Sequence, residues 1–176
     1  ANAKAKLANA QARLDKSLND VKRLQPLAAQ QAVSQQELDN AISARDAHMV
    51  LYESAGAAAL AGVQLVEIGS GGSFGPEELR AAVYPADDHF PRTTALLVEN
   101  THNRSGGRVF PFERLRQVTD LARELGLRCH MDGARIFNAE AASGIPAARW
   151  AESFDTVSFC LSKGLGAPVG SLLLGS

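Results

Sequence analysis

Three short apolar runs, each followed at once by polar residues, do most to limit what this chain can fold into. TALLV (94–98) leads into ENTHN (99–103), LRCHM (127–131) into DGAR (132–135), and TVSFCL (156–161) into SKG (162–164). Alternation of such runs with amphipathic stretches predicts an α/β domain. Tyr52 to Ala61 reads as a small-residue helix and Val63 to Ile68 as a strand ended by GSGG. A helix starts at Pro76, with acids in its first turn. Thr94 to Val98 is a strand, and Phe112 to Leu125 an amphipathic helix closed by Gly126. Leu127 to Met131, Thr156 to Leu161 and Ser171 to Leu174 complete the strands. Ligands of open α/β sheets bind beyond the carboxyl ends of the strands, so His102, Asp132, Arg135 and Lys163 are expected along one edge.

The first 47 residues differ: they are rich in Ala, Gln, Asn, Lys and Asp and free of glycine and aromatics. Ala3, Leu7, Ala10, Leu14, Ser17, Val21 and Leu24 alternate in steps of four and three, the seam of a coiled coil. After Pro26, Ser34 and Glu37 have capping-box spacing, and a second helix is expected through Leu38 and Ile42. Helix, turn and helix give an antiparallel hairpin over 1–46, with the α/β domain over 47–176. RLQPLAAQQAVSQQELDNAISA resembles the hairpin tip of the periplasmic adaptor (membrane fusion) proteins of efflux pumps. That resemblance implies Arg23, Leu27 and Ser34 as tip residues that dock on a partner channel. The adaptor family's other domains have no counterpart, so the alternative function it implies is a non-enzymatic interaction module.

A composition of 45% hydrophobic and 21% charged residues with a net charge of -1 is that of a soluble globular protein. Such a balance gives no electrostatic case for nucleic acid or an anionic membrane. No apolar run reaches the ~20 residues of a membrane span, and the first residues lack a signal peptide's apolar centre. Cys129 and Cys160 have no partner at metal-ligand spacing and read as buried thiols of a reducing, cytoplasmic compartment, with no metal expected.

The residue types at the three strand ends fit one cofactor. A lysine able to form a Schiff base and an aspartate to pair with a pyridinium nitrogen are what pyridoxal 5'-phosphate (PLP) requires of its protein. Lys163, behind an apolar run, is expected where desolvation makes its amine nucleophilic. Arg135 offers a planar donor fork for a substrate carboxylate. Singly, each residue has an ordinary reading: Lys163 in a solvated loop, Asp132 as a turn or cap, Arg135 as a surface charge, His102 as a loop histidine. Their convergence favours the cofactor.

ENTHNRSGGRVFP, HMDGARIFNA and DTVSFCLSKGLGAPVGSLLLG closely resemble the low-specificity L-threonine aldolases, fold-type I PLP enzymes of the aromatic amino acid β-eliminating lyase/threonine aldolase family. HMVLYESAGAAALAGVQ resembles the preceding segment, with YESAG in place of a double glycine. The resemblance implies a partial fold-type I large domain: a mostly parallel sheet with flanking helices. It implies Lys163 as the Schiff-base lysine, Asp132 as partner of the pyridine nitrogen, His48 as the histidine over the ring, Arg135 on the substrate carboxylate and His102 near the substrate hydroxyl. The implied reaction is cleavage of L-threonine or L-allo-threonine to glycine and acetaldehyde, in a homo-oligomer. The base remains open among His48, His102, a water and the cofactor phosphate. The family's phosphate-gripping N-terminal segment and its C-terminal small domain have no counterpart, so impaired turnover is expected.

Overall fold

Asp39–Ala44 forms a strand, β1, at the interior of a six-stranded sheet, where the sequence predicted a helix through Leu38 and Ile42. The computed structural model describes residues 39–175, which fall within the unit Glu37–Ser176. Arg23, Leu27, Ser34 and the rest of the expected hairpin up to residue 38 lie outside the described residues. The reason for the correction is burial on both faces. Asn40 to Ala44 are all buried, as parallel strands flanked by neighbours are, so DNAISA lacks the alternation that marks a half-exposed strand. Its backbone groups are taken up from both sides, with Ile42 opposite Val66 on one neighbour and Leu96 on the other.

The other strands are β2 (Val63–Ile68), β3 (Thr93–Glu99), β4 (Arg128–Asp132), β5 (Thr156–Cys160) and β6 (Ser171–Gly175), in the spatial order β2-β1-β3-β4-β5-β6. All pairs are parallel except β5 with β6. The helices are α1 (His48–Leu51), α2 (Gly56–Ala61), α3 (Pro76–Ala82), α4 (Phe112–Glu124), α5 (Ile136–Ser143) and α6 (Ala147–Ala151). Of the helix expected over 52–61 only Gly56–Ala61 forms, as α2: Ser54 and Ala55 take positive φ, which breaks the helix there and leaves α1 as a separate turn before it. Among the described residues, no helix is long and apolar enough to cross a membrane.

Local signals account for most boundaries. Pro76 opens α3, and the Glu78 carboxylate accepts the Gly75 amide at 2.8 Å. At the end of α4, Gly126 adopts φ +74°, which lets the Leu127 amide reach back to the Ala122 carbonyl at 2.9 Å and its own amide to Arg123 at 3.0 Å. Successive side chains of a strand point to opposite faces. Ile42, Leu96, Val98 and Met131 point to the face packed by α4, through Leu115, Val118 and Ala122. Trp150 of α6 closes that core, edge-on to Phe112 at 4.8 Å. The opposite face carries Ala41, Leu97, His130, Asp132, Ser158 and Cys160, and there the cavity lies.

Candidate active site

Strand order reverses at β1: the chain passes from β1 outward to β2 and then returns to β3 on the other side. Loops leaving β1 and β3 therefore diverge, and a crevice opens at the carboxyl ends of the strands. A cavity of about 650 Å³ occupies this region, and His48, His130, Asp132, Ser158, Cys160 and Lys163 are among the residues that line it. Three of the residues expected from the sequence, His48, Asp132 and Lys163, thus share one cavity.

Each is held by its element. Asp132 ends β4, where its carboxylate accepts the Ala134 amide at 3.1 Å and its carbonyl accepts the Asn100 amide at 2.9 Å. Gly133 then lets the chain turn against β5: its amide donates to the Ser158 carbonyl at 2.8 Å, and a Cβ there would lie 3.0 Å from the same oxygen. Lys163 sits in the turn after β5, where Gly164 approaches the Asn138 side chain so closely that a Cβ would fall 2.5 Å from its Oδ1. Lys163 is exposed, so the described residues do not supply the desolvation expected for it. An apolar run before a residue buries the run, whereas the turn that follows is covered only if another element crosses it.

His48 is the first residue of α1, and its amide donates to the Glu99 carboxylate at 2.8 Å. Its imidazole Nδ1 lies 2.9 Å from Glu53 Oε1, and its ring is 5.2 Å from that of Tyr52. His102 and Arg135 are not among the cavity's lining residues. His102 is 1% exposed and turned into its own loop. Its Nδ1 accepts the Ser105 amide at 3.3 Å and lies 2.9 Å from Ser105 Oγ. Because a backbone amide can only donate, Nδ1 is the acceptor and Nε2 carries the proton. That Nε2 is 3.7 Å from Glu99 Oε2 and has no hydrogen-bond partner. Gly72 presses on the other side: a Cβ there would overlap the His102 ring. Arg135 is half-buried at the start of α5.

Two site residues escaped the sequence reading. His130 shares a face with Asp132, two residues on, and its Nδ1 lies 2.7 Å from Thr156 Oγ1. Burial pushes its imidazole below the ordinary histidine range, with the Asp132 charge opposing. Glu99, the last residue of β3, is 5% exposed and binds backbone amides of two segments. The period of two along LRCHMD would have found His130. Burial on the core side pushes the Cys129 thiol up to about 11, an inert group.

Known proteins share the sequence and the fold. Residues 27–176 match the family described as Beta-eliminating lyase. The chain is 44% identical over 135 residues to a probable low-specificity L-threonine aldolase 2 of Arabidopsis thaliana, covering 74% of this chain and 38% of the relative. It is 42% identical over 132 residues to the low specificity L-threonine aldolase of Escherichia coli K12, covering 74% and 39%. This chain therefore spans less than half the length of those relatives. Among solved structures, Leishmania major threonine aldolase superposes with a TM-score of 0.69 at 19% identity, over 80% of this chain and 42% of that one. A tetra mutant of Thermus thermophilus aspartate aminotransferase gives 0.59 at 22% identity, over 80% and 38%, so the same fold serves more than one chemistry. A match over most of its length, together with the parallel sheet and the polar residues gathered at its strand ends, places the chain in the Beta-eliminating lyase family.

Proposed function

We propose that the protein to which this chain belongs is a PLP-dependent lyase that cleaves L-threonine or L-allo-threonine between Cα and Cβ, giving glycine and acetaldehyde. The observation that carries this reading is the gathering of Lys163, Asp132 and His48 around one cavity. The donor set fits the ring side of PLP: a primary amine, a carboxylate already held by a turn amide, and a flat imidazole. Bound PLP supplies an aldehyde for an amine and a cationic ring that accepts the electron pair of the breaking bond. Lys163 would hold the cofactor covalently. Asp132, oriented by the Ala134 amide, would keep a proton on the ring nitrogen. His48, standing on α1 at the cavity wall, would pack over the ring.

Arg135, at the start of α5, is assigned to the substrate carboxylate for its planar donor fork. His102, buried behind Glu99, is assigned a place near the substrate hydroxyl without lining the cavity; its Nε2 carries the proton in the present tautomer, and removal of the hydroxyl proton falls to His48, to water or to the cofactor phosphate. Threonine aldolase relatives at about 40% identity support the substrate. We read the working protein as a cytoplasmic homo-oligomer, with Arg23, Leu27 and Ser34 as an added interaction surface. Titration of the chain with PLP tests the cofactor reading. A visible absorbance band is expected that Lys163→Ala abolishes, with threonine-dependent acetaldehyde release from this chain reduced relative to a full-length relative. A band the variant retains would refute the assignment of Lys163.

A further inference from the structure

We infer that Glu99 is a positioning residue whose carboxylate locks His48 and the loop after β3 to the cavity. This deepens the function proposed above and rests on it for the role of His48.

Glu99 lies at the mouth of the β1/β3 crevice and is 5% exposed. Two amides from separate segments meet its two oxygens. The His48 amide donates to Oε2 at 2.8 Å, and the Asn103 amide donates to Oε1 at 2.9 Å. His102 Nε2, which carries a proton and has no other partner, faces Oε2 at 3.7 Å. Two backbone donors, one on each oxygen, need an acceptor at both positions, which a carboxylate supplies. The loop is tied down further on: the Asn100 amide binds the Asp132 carbonyl at 2.9 Å, and the Phe110 amide binds Asn100 Oδ1 at 3.1 Å. A short path thus runs from Asp132 by a hydrogen bond to Asn100, along the chain to Glu99, and by a hydrogen bond to His48. These contacts fix how the histidine stands relative to the aspartate across the cavity.

The arrangement explains why an amide would not serve. Glutamine has one acceptor oxygen and one NH2. Whichever way it turns, the NH2 meets either the His48 or the Asn103 amide, two donors facing each other. Loss of one charge-assisted bond from a buried site predicts a weakening of about tenfold or more in any equilibrium that needs His48 in place.

The experiment uses the full chain and has two parts. In the wild-type protein, long-range NMR coupling across hydrogen bonds is expected from the His48 and Asn103 amides to the Glu99 carboxyl carbon. In Glu99→Gln, one coupling should vanish, the His48 ring resonances should shift, and PLP should bind about tenfold more weakly. Absence of both couplings in the wild type would overturn the inference, and so would a folded Glu99→Gln protein with unchanged His48 resonances. Should the glutamine protein fail to fold, the wild-type couplings decide. A wild-type chain with both couplings and no Lys163-dependent absorbance would defeat the cofactor reading and leave the Glu99 contacts standing.

Discussion

Replacing Ile42 with alanine separates the two readings of residues 38–44 by a measurable margin. In the structure Ile42 is 0% exposed and faces the core between Val66 and Leu96. The substitution removes three carbons, and at about 0.8 kcal/mol per buried methylene the transfer loss alone is about 2.4 kcal/mol. Parallel neighbours on both sides leave little room for collapse, so a cavity contribution brings the cost to about 3 kcal/mol, inside the range of roughly 2–5 for such changes. With a urea slope of about 2 kcal/mol/M, the midpoint should fall by about 1.5 M. The chain's single tryptophan, Trp150, is 1% exposed and packed on Phe112, so its fluorescence reports unfolding of this same core. On a solvated helix the same change would cost within about 0.5 kcal/mol, as surface substitutions do. A measured cost below about 1 kcal/mol would refute the placement of β1.

Gly72→Ala should destabilise more than Gly106→Ala. Both glycines have positive φ, at +80° and +74°, but a Cβ at Gly106 meets nothing within 4 Å, whereas one at Gly72 overlaps His102. Gly106→Ala should then show only left-handed strain, about 1 kcal/mol or roughly 3 °C in Tm, and Gly72→Ala at least twice that; equal losses would remove the His102 contact from the account. Acid should weaken the fold through His130. Its folded-state pKa is lowered by burial, so the unfolded chain binds the proton more tightly and stability is lost as pH falls through the ordinary imidazole range near 6.5. His130→Asn, which keeps a donor for Thr156, should flatten the denaturation midpoint between roughly pH 7.5 and 5.5, and an unchanged slope would show that His130 is not the group responsible.

What could be read from the sequence followed from contiguity. TALLV, LRCHM and TVSFCL are apolar enough to mark strands alone, and a residue just past a strand end is placed at the sheet edge by that fact, which is how Asp132 and Lys163 were found. β1 was not legible because DNAISA owes its burial to strands that arrive later in the chain. Its small and polar residues fit a helix as well as a strand until Val63–Ile68 and Thr93–Glu99 flank it. His102 shows a second limit. Position after a strand says where a loop begins, while the direction of the side chain is set by Ser105 and Gly72, which are contacts within the folded loop.

The correction at β1 changes more than a boundary. A helix over Leu38 to Ile42 would remove the strand that separates β2 from β3, and with it the reversal of strand order that opens the crevice. His48 would lose its anchor as well, since the strand delivers it to Glu99 only four residues after Ala44. The cavity is then lined from neighbouring parallel strands, by His48 after β1, Asp132 at the end of β4 and Lys163 after β5, while Glu99 at the end of β3, between them, holds the His48 amide. A division of the chain at 46/47 would place the strand in one unit and the histidine it positions in the other. The geometry requires them together, so the unit that carries the cavity includes Asp39–Ala44.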